Sequence, residues 1–228
     1  MMEHTSRQYE KELHDLGDKI LFLGGTVEEM IARAMQSLVD RDSDLARRVI
    51  EMDRTVDSGE LDVDHMSLNL LALRQPAASD LRFITTALKI VTDLERIGDL
   101  AVNIAERALE LNQEPPLKPY IDIPHMAREV SDMVHRALDS FVKRDAAEAR
   151  AVLQADDAVD ALNVQLFREL LTYMIEEPKN VTRALRITFI AKYLERVGDH
   201  ATNIAQMVIF MSEGRDVRHP RLKLNTRS

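Results

Sequence analysis

The chain has no cysteine and no tryptophan, and its 228 residues include only seven glycines and seven prolines. Without cysteine there are no disulfides, no thiolate metal sites and no cysteine nucleophile, so any metal must be held by oxygen or imidazole. The first twenty residues, "MMEHTSRQYEKELHDLGDKI", carry charge throughout and contain no apolar run suited to a signal peptide or a membrane span, and a cytoplasmic protein is expected. There is no glycine-rich phosphate loop and no Ser/His/Asp arrangement that can be placed, so no catalytic residue is assigned. The formal net charge is -9, which repels a nucleic-acid backbone. Positive charge gathers instead in the tail at 214–228, where Arg215, Arg218, Arg221, Lys223 and Arg227 face only Asp216; the tail carries +4 and residues 1–213 carry -13.

What is present is helical periodicity. Leu13, Leu16, Ile20, Leu23, Val27, Met30 and Ala34 alternate steps of three and four, the seam of a long first helix over about 6–40. Leu45, Val49, Met52, Val56, Val63, Met66, Leu70 and Leu73 repeat the pattern, interrupted at Gly59. "QPAASD" breaks it at Pro76, and Ser79 or Asp80 is suited to cap a third helix that runs to about 111. "NQEPPLKPYIDIP" (112–124) holds four prolines and reads as a linker. The pattern then restarts, with helices at about 125–143, 146–175 and 180–213 around a second break at "EEPKN". No stretch alternates with period two, so no sheet is expected. The predicted fold is all-α: two repeated up-down three-helix bundles, at 1–111 and 125–213, joined by the linker at 112–124 and followed by the basic tail.

The two halves share a phrase. "DLERIGDLAVNIAE" at 93–106 returns as "YLERVGDHATNIAQ" at 193–206, with Glu95, Gly98, Asp99 and Asn103 repeated as Glu195, Gly198, Asp199 and Asn203. A glycine inside a helix costs about 1 kcal/mol relative to alanine, so its retention in both copies asks for an offsetting role. Ala87, Ile90, Leu94, Ile97, Ala101, Ile104 and Ala108 form an unbroken apolar seam, matched by Ile187, Ile190, Leu194, Val197, Ala201, Ile204 and Val208. The adjoining seam is apolar until Glu95 and Gly98, which puts Glu95 and Asp99, four residues apart, at the edge of the core. The preceding helices carry acidic stripes, Asp53, Asp57, Glu60 and Asp64 in the first and Asp156 and Asp160 in the second. Reflecting the antiparallel hairpins about Pro76 and Pro178 sets 53 opposite 98, 57 opposite 94, 156 opposite 199 and 160 opposite 195.

Four carboxylates at one height repel one another unless cations or protons intervene. The pattern suits either an all-oxygen metal site for Mg, Ca, Mn or oxygen-bridged iron, or a solvated acidic face relieved by Arg54, Arg96 and Arg196. His200 points about 100° away from Asp199 on the helix and reads as a lone surface histidine. Asp62/His65 and Asp132/His135 have metal-compatible spacing, but neither pair is duplicated. The Glu-x-x-His pair of ferritin-like di-iron proteins is absent, and the methionines at helical spacing read as core filler.

These phrases, together with "RQPAASDLRFITTALK" at 74–89 and "EGRDVRH" at 213–219, resemble the PhoU family of phosphate-transport accessory proteins over essentially the whole chain. The resemblance implies a cytoplasmic all-α protein that binds metal ions, in multinuclear iron clusters or as another divalent cation such as Zn, Mn, Mg, Ca or Ni. Carried over by position, the ligands are Glu95, Asp99, Glu195 and Asp199, with Asp53, Asp57, Asp156 and Asp160 added by the reflection above. It further implies a negative regulator of the phosphate-starvation response, placed between the phosphate ABC transporter ATPase and a phosphate-sensing histidine kinase, as a homodimer that meets membranes only through those partners. Gln206 for Glu106, Asn163 for Glu60, Phe167 for Asp64 and Tyr193 for Asp93 make the second copy unlike the first. The alternatives are a helical metal-storage protein and a carboxylate-bridged metalloenzyme.

Overall fold

A computed structural model describes residues 2–214, and their side chains from residue 7. The basic tail after Gly214, and with it most of the "EGRDVRH" phrase, lies outside the described residues. Within them the chain forms six long α-helices and no strand: α1 (Met2–Val39), α2 (Ser43–Arg74), α3 (Ala78–Leu111), α4 (Asp122–Lys143), α5 (Ala146–Glu176) and α6 (Val181–Glu213), with a single 3₁₀ turn at Pro178–Asn180. Helices α1–α3 pack as one up-down bundle and α4–α6 as a second.

The seams fix this arrangement. All seven residues of the α3 seam, Ala87 through Ala108, and all seven of the α6 seam, Ile187 through Val208, are fully buried. The α1 seam, from Leu16 to Ala34, is likewise fully buried from Leu16 onward. The same turn chemistry opens α2 and α5. Arg41 and Arg144 adopt left-handed backbone conformations, with φ of 58° and 54°. The aspartate that follows each one caps the next helix. Asp42 Oδ1 accepts from the amides of Asp44 and Leu45, both at 2.9 Å, and Asp145 Oδ1 from those of Ala147 and Glu148 at 2.9 and 3.1 Å.

At the start of α3 the expected cap is not used. The N-cap is Ala77, with no side-chain cap bond, and Ser79 and Asp80 lie inside the first turn. Asp80 is drawn away by long-range partners, since it accepts from the Tyr9 hydroxyl at 3.1 Å and stands 3.7 Å from Arg144 Nη2. Helix α4 also starts three residues earlier than predicted, at Asp122, with Pro124 in its first turn, where proline is tolerated because no helical partner awaits its missing N–H.

The bundles are not beads on a string. Their apolar residues form one continuous core, and they meet through two antiparallel contacts, α1 with α4 and α3 with α6. In the first contact Gly24 lies under Leu138, so close that a Cβ at Gly24 would collide with Leu138 Cδ1. In the second, Arg82 Nε donates to the Met211 carbonyl at 3.0 Å, and His200 Nδ1 lies 2.7 Å from Asp93 Oδ1. The pairings 82 with 211 and 93 with 200 place the crossing near Ile97 and Val197, both fully buried. The connecting segment is clamped as well. Arg41 donates to the carbonyls of Asn112 and Glu114 at 2.6 and 2.8 Å, and the buried Lys118 ammonium pairs with Asp122 and Glu169.

Because the two Arg-Asp turns are equivalent and far apart, Asp42→Ala and Asp145→Ala should each cost about 1 kcal/mol and add in the double variant. Thermal melts followed by circular dichroism should show a fall of roughly 2–4 °C per substitution. A loss confined to one of the two would contradict the equivalence.

Candidate functional site

The repeated glycine answers to a carboxylate. A Cβ built on Gly98 would stand 3.3 Å from Asp53 Oδ1, and one on Gly198 would stand 3.2 Å from Asp156 Oδ1. In both bundles, therefore, an aspartate from the second helix is laid into the gap that the glycine of the third helix leaves, with Val56 or Val159 packed beside it. Alanine at either glycine would press on that carboxylate. Position 53 faces 98 as the reflection predicts. Asp156 faces 198 rather than 199, because the 3₁₀ turn at Pro178–Asn180 displaces α6 by one residue relative to a symmetric hairpin.

Around these contacts the remaining acids gather. The Asp53 carboxyl is pushed up by burial and then by repulsion from Asp57 and Asp99. Glu95 is pushed up by burial and by Asp99, Glu60 and Asp57, against the pull of Arg96. In the second bundle Asp156 is raised furthest, to about 6, by burial first and then by Asp160, Asp199, Glu195 and Asp157. Asp199 rises for the same reasons, with burial and Glu195 leading. All eight acids expected at these sites are thus within electrostatic reach of their own group, four in each bundle.

Glu95 and Glu195 are the inward members. Their side chains are only 20% and 14% exposed, and each turns its Oε2 into the helix contact with no well-directed hydrogen bond. The compensating charge is close by: Arg96 Nε is 3.2 Å from Glu95 Oε2, and Lys192 Nζ is 2.6 Å from Glu195 Oε2. Arg96 also donates to Asp99 at 3.1 Å. Among the described residues no three Asp, Glu or His side chains converge closely enough to hold a metal ion as they stand. The donors nevertheless fit a hard cation in kind and in charge, being all carboxylate oxygen, crowded, and neutralised by one flexible basic side chain per site that a cation would replace.

Histidine plays a different part from the one expected. His200 is no lone surface residue: its side chain is 18% exposed and is held by Asp93 of the other bundle, which Asn203 Nδ2 also approaches at 3.4 Å. The pair joins two of the positions at which the copies differ, since Asp93 is matched by Tyr193 and His200 by Leu100. Asp62 is bound by Lys19 Nζ at 2.7 Å, while His135 Nδ1 stands 3.4 Å from Glu28 on α1, so neither of these histidine spacings builds a site.

The PhoU domain matches this chain twice, over residues 20–108 and 123–208. The chain belongs to the PhoU family. The phosphate-specific transport system accessory protein PhoU homolog of Pseudomonas aeruginosa is 43% identical over 96% of this chain and 91% of that protein. The Aquifex aeolicus protein of the same name is 44% identical over 93% and 96%, and PhoU of Escherichia coli is 35% identical over 95% and 90%. The fold agrees with solved structures. The crystal structure of PhoU from Pseudomonas aeruginosa superposes with a TM-score of 0.86 at 42% identity, covering 91% of this chain and all of that one. The phosphate transport system regulatory protein PhoU from Streptococcus pneumoniae gives 0.84 at 27% identity, covering 92% and 99%.

The raised carboxyl of Asp156 fixes a pH dependence. Its folded-state value of about 6 lies above the ordinary 3.8, so the folded protein holds this proton more tightly than the unfolded chain does. The resulting stabilisation is complete below about pH 4 and is lost as the pH rises to about 6. In chelator-treated protein Asp156→Asn should remove that decline. At pH 7 it should raise the melting temperature by roughly 2–4 °C, the equivalent of about 1 kcal/mol after solvent screening. A melting temperature lowered by the substitution would show that the carboxylate is held by attraction rather than crowded.

Proposed function

We propose that this protein is an accessory regulator of phosphate transport in the cytoplasm, restraining the phosphate-starvation response by contact with the ATPase of a phosphate ABC transporter and with a phosphate-sensing histidine kinase. The observation that carries this reading is similarity along nearly the full length, in sequence and in fold, to proteins named as phosphate-specific transport accessory or regulatory proteins. Its action is binding rather than turnover, and the resting form is a homodimer. Among the described residues no helix is long and apolar enough to cross a membrane, so any place beside a transporter is reached through partners.

The acidic groups serve this role as cation sites. Asp53, Asp57, Glu95 and Asp99 would hold metal in the first bundle and Asp156, Asp160, Glu195 and Asp199 in the second, with a divalent cation or an oxygen-bridged iron cluster as the occupant. A bound cation would supply charge neutralisation and a cross-link from α2 to α3 and from α5 to α6. The chain's own part is to set four oxygens on two rigid helices, with a glycine making the room for one of them.

Deleting the gene should leave phosphate-starvation genes expressed in high phosphate. Expression that stays repressed would remove the regulatory reading. For the sites, addition of the bound cation at a hundredfold excess over Kd should stabilise the protein by about 2.7 kcal/mol, a rise of roughly 5–10 °C in melting temperature. Asp99→Asn with Asp199→Asn should abolish that rise. If no cation among iron, zinc, manganese, magnesium, calcium and nickel moves the melting temperature of the wild-type chain, the acidic faces are solvated surface.

A further inference from the structure

One margin of the contact between α3 and α6 opens as a cleft of about 480 Å³, within the range of small-ligand sites. Its polar wall is formed by Lys89, Asp93 and Arg96 from α3 and by His200 and Asn203 from α6. Three of these hold one another in place. Asp93 Oδ1 lies 2.7 Å from His200 Nδ1 and accepts from Asn203 Nδ2 at 3.4 Å. Among the described residues that pairing leaves Asp93 Oδ2, His200 Nε2 and the second Nδ2 hydrogen of Asn203 for a ligand. Lys89 is exposed and has no ion-pair partner among the described residues.

Arg96 is the movable member. Its side chain is 58% exposed, and it lines the cleft while its Nε and Nη1 are drawn to Glu95 at 3.2 Å and Asp99 at 3.1 Å. One guanidinium thus serves two neighbouring groups. Drawn to the acids, it leaves Lys89 and Asp93 to cancel each other in the cleft; turned back, it gives the cleft a net positive charge. The opposite margin lacks this set. Lys89, Asp93 and His200 are matched there by Phe189, Tyr193 and Leu100, and its Lys192 and Arg107 are taken by Glu195 and Glu110.

We infer that this cleft binds inorganic phosphate, with Lys89, Arg96, His200 and Asn203 as donors to its oxygens and Asp93 as acceptor of its remaining proton, and that the shared Arg96 couples it to the acidic group of the first bundle. The carboxylate identifies the ligand. Charge-assisted donors alone would take any oxyanion. Asp93 repels an anion with no proton to give, which excludes sulfate and disfavours a phosphate monoester, whose second ionisation at about pH 6 is largely complete at neutral pH. Hydrogen phosphate still carries a proton there. Whatever draws Glu95 and Asp99 away from Arg96, a cation included, tightens phosphate binding, and by linkage phosphate tightens binding of that cation to the same degree. The site stands on the cleft alone; its use as a phosphate signal rests on the regulatory reading of the preceding section.

Equilibrium dialysis of the full chain against radiolabelled inorganic phosphate at neutral pH tests this. In chelator, Glu95→Gln with Asp99→Asn should bind phosphate on the order of 10-fold more tightly than the wild type, because Arg96 is released without any metal. Adding Lys89→Ala should weaken that binding by on the order of 10-fold, the loss of one charge-assisted contact, with the helical circular dichroism unchanged. Sulfate and glycerol phosphate should compete poorly, and Asp93→Asn should let sulfate compete. Manganese added to the wild type should tighten phosphate binding, and Lys89→Ala should remove most of that gain. No binding by the Glu95→Gln, Asp99→Asn protein, or binding indifferent to Lys89→Ala, overturns the site. Equal competition by sulfate or glycerol phosphate overturns the assignment to inorganic phosphate. A manganese effect that survives Lys89→Ala puts the phosphate on the metal and overturns the coupling. None of these outcomes depends on how starvation genes respond to deletion of the gene, so the site and the regulatory reading fail separately.

Discussion

Like charge brought together across a helix contact is the constraint on which this molecule turns. In each bundle an aspartate of the second helix is set into the glycine gap of the third, within reach of Asp99 in the first bundle and of Glu195 and Asp199 in the second. Nothing in such an arrangement favours folding; desolvation and repulsion both oppose it. It persists because the seams beside it, buried from end to end, hold the helices at that separation regardless. The apolar core thus acts as a clamp on an electrostatically unfavourable group of oxygens. That is the condition under which a cation becomes the natural relief, and the nearby basic side chains, Arg96 and Lys192, supply a partial substitute from within the chain.

The pattern that reveals this is largely local, which is why so much of it is legible in the order of the amino acids alone. Seams, breaks and acidic stripes are properties of single helices, and a hairpin with a short turn lets heights be matched by counting. The count succeeds at Asp53 over Gly98 and slips by one residue at Asp156, where a 3₁₀ turn replaces a symmetric bend. Asp80 fails as a cap for a related reason: Tyr9 and Arg144 come from elements far away in sequence, and their demand outweighs a local preference.

The contact between the bundles is illegible by the same logic. No turn relates α3 to α6, so nothing in the local pattern sets Asp93 beside His200, and His200 taken alone looks like surface. One signal does exist. Asp93 and His200 are both positions where the second copy departs from the first, and compensating departures at a pseudo-symmetric crossing point to contact. Glu28 and His135, which bridge α1 and α4, repeat the lesson.

The antiparallel crossing of the bundles has a consequence for how such a chain can change. Two identical subunits meeting on a two-fold axis must alter both edges of their interface with every substitution. Once the copies are fused in one chain, each edge is free to drift by itself. Here one edge carries a polar contact, Asp93 with His200, while the residues at the matching positions of the other edge are Tyr193 and Leu100. The two margins of the crossing are therefore chemically distinct, and a substitution at one leaves the other unchanged.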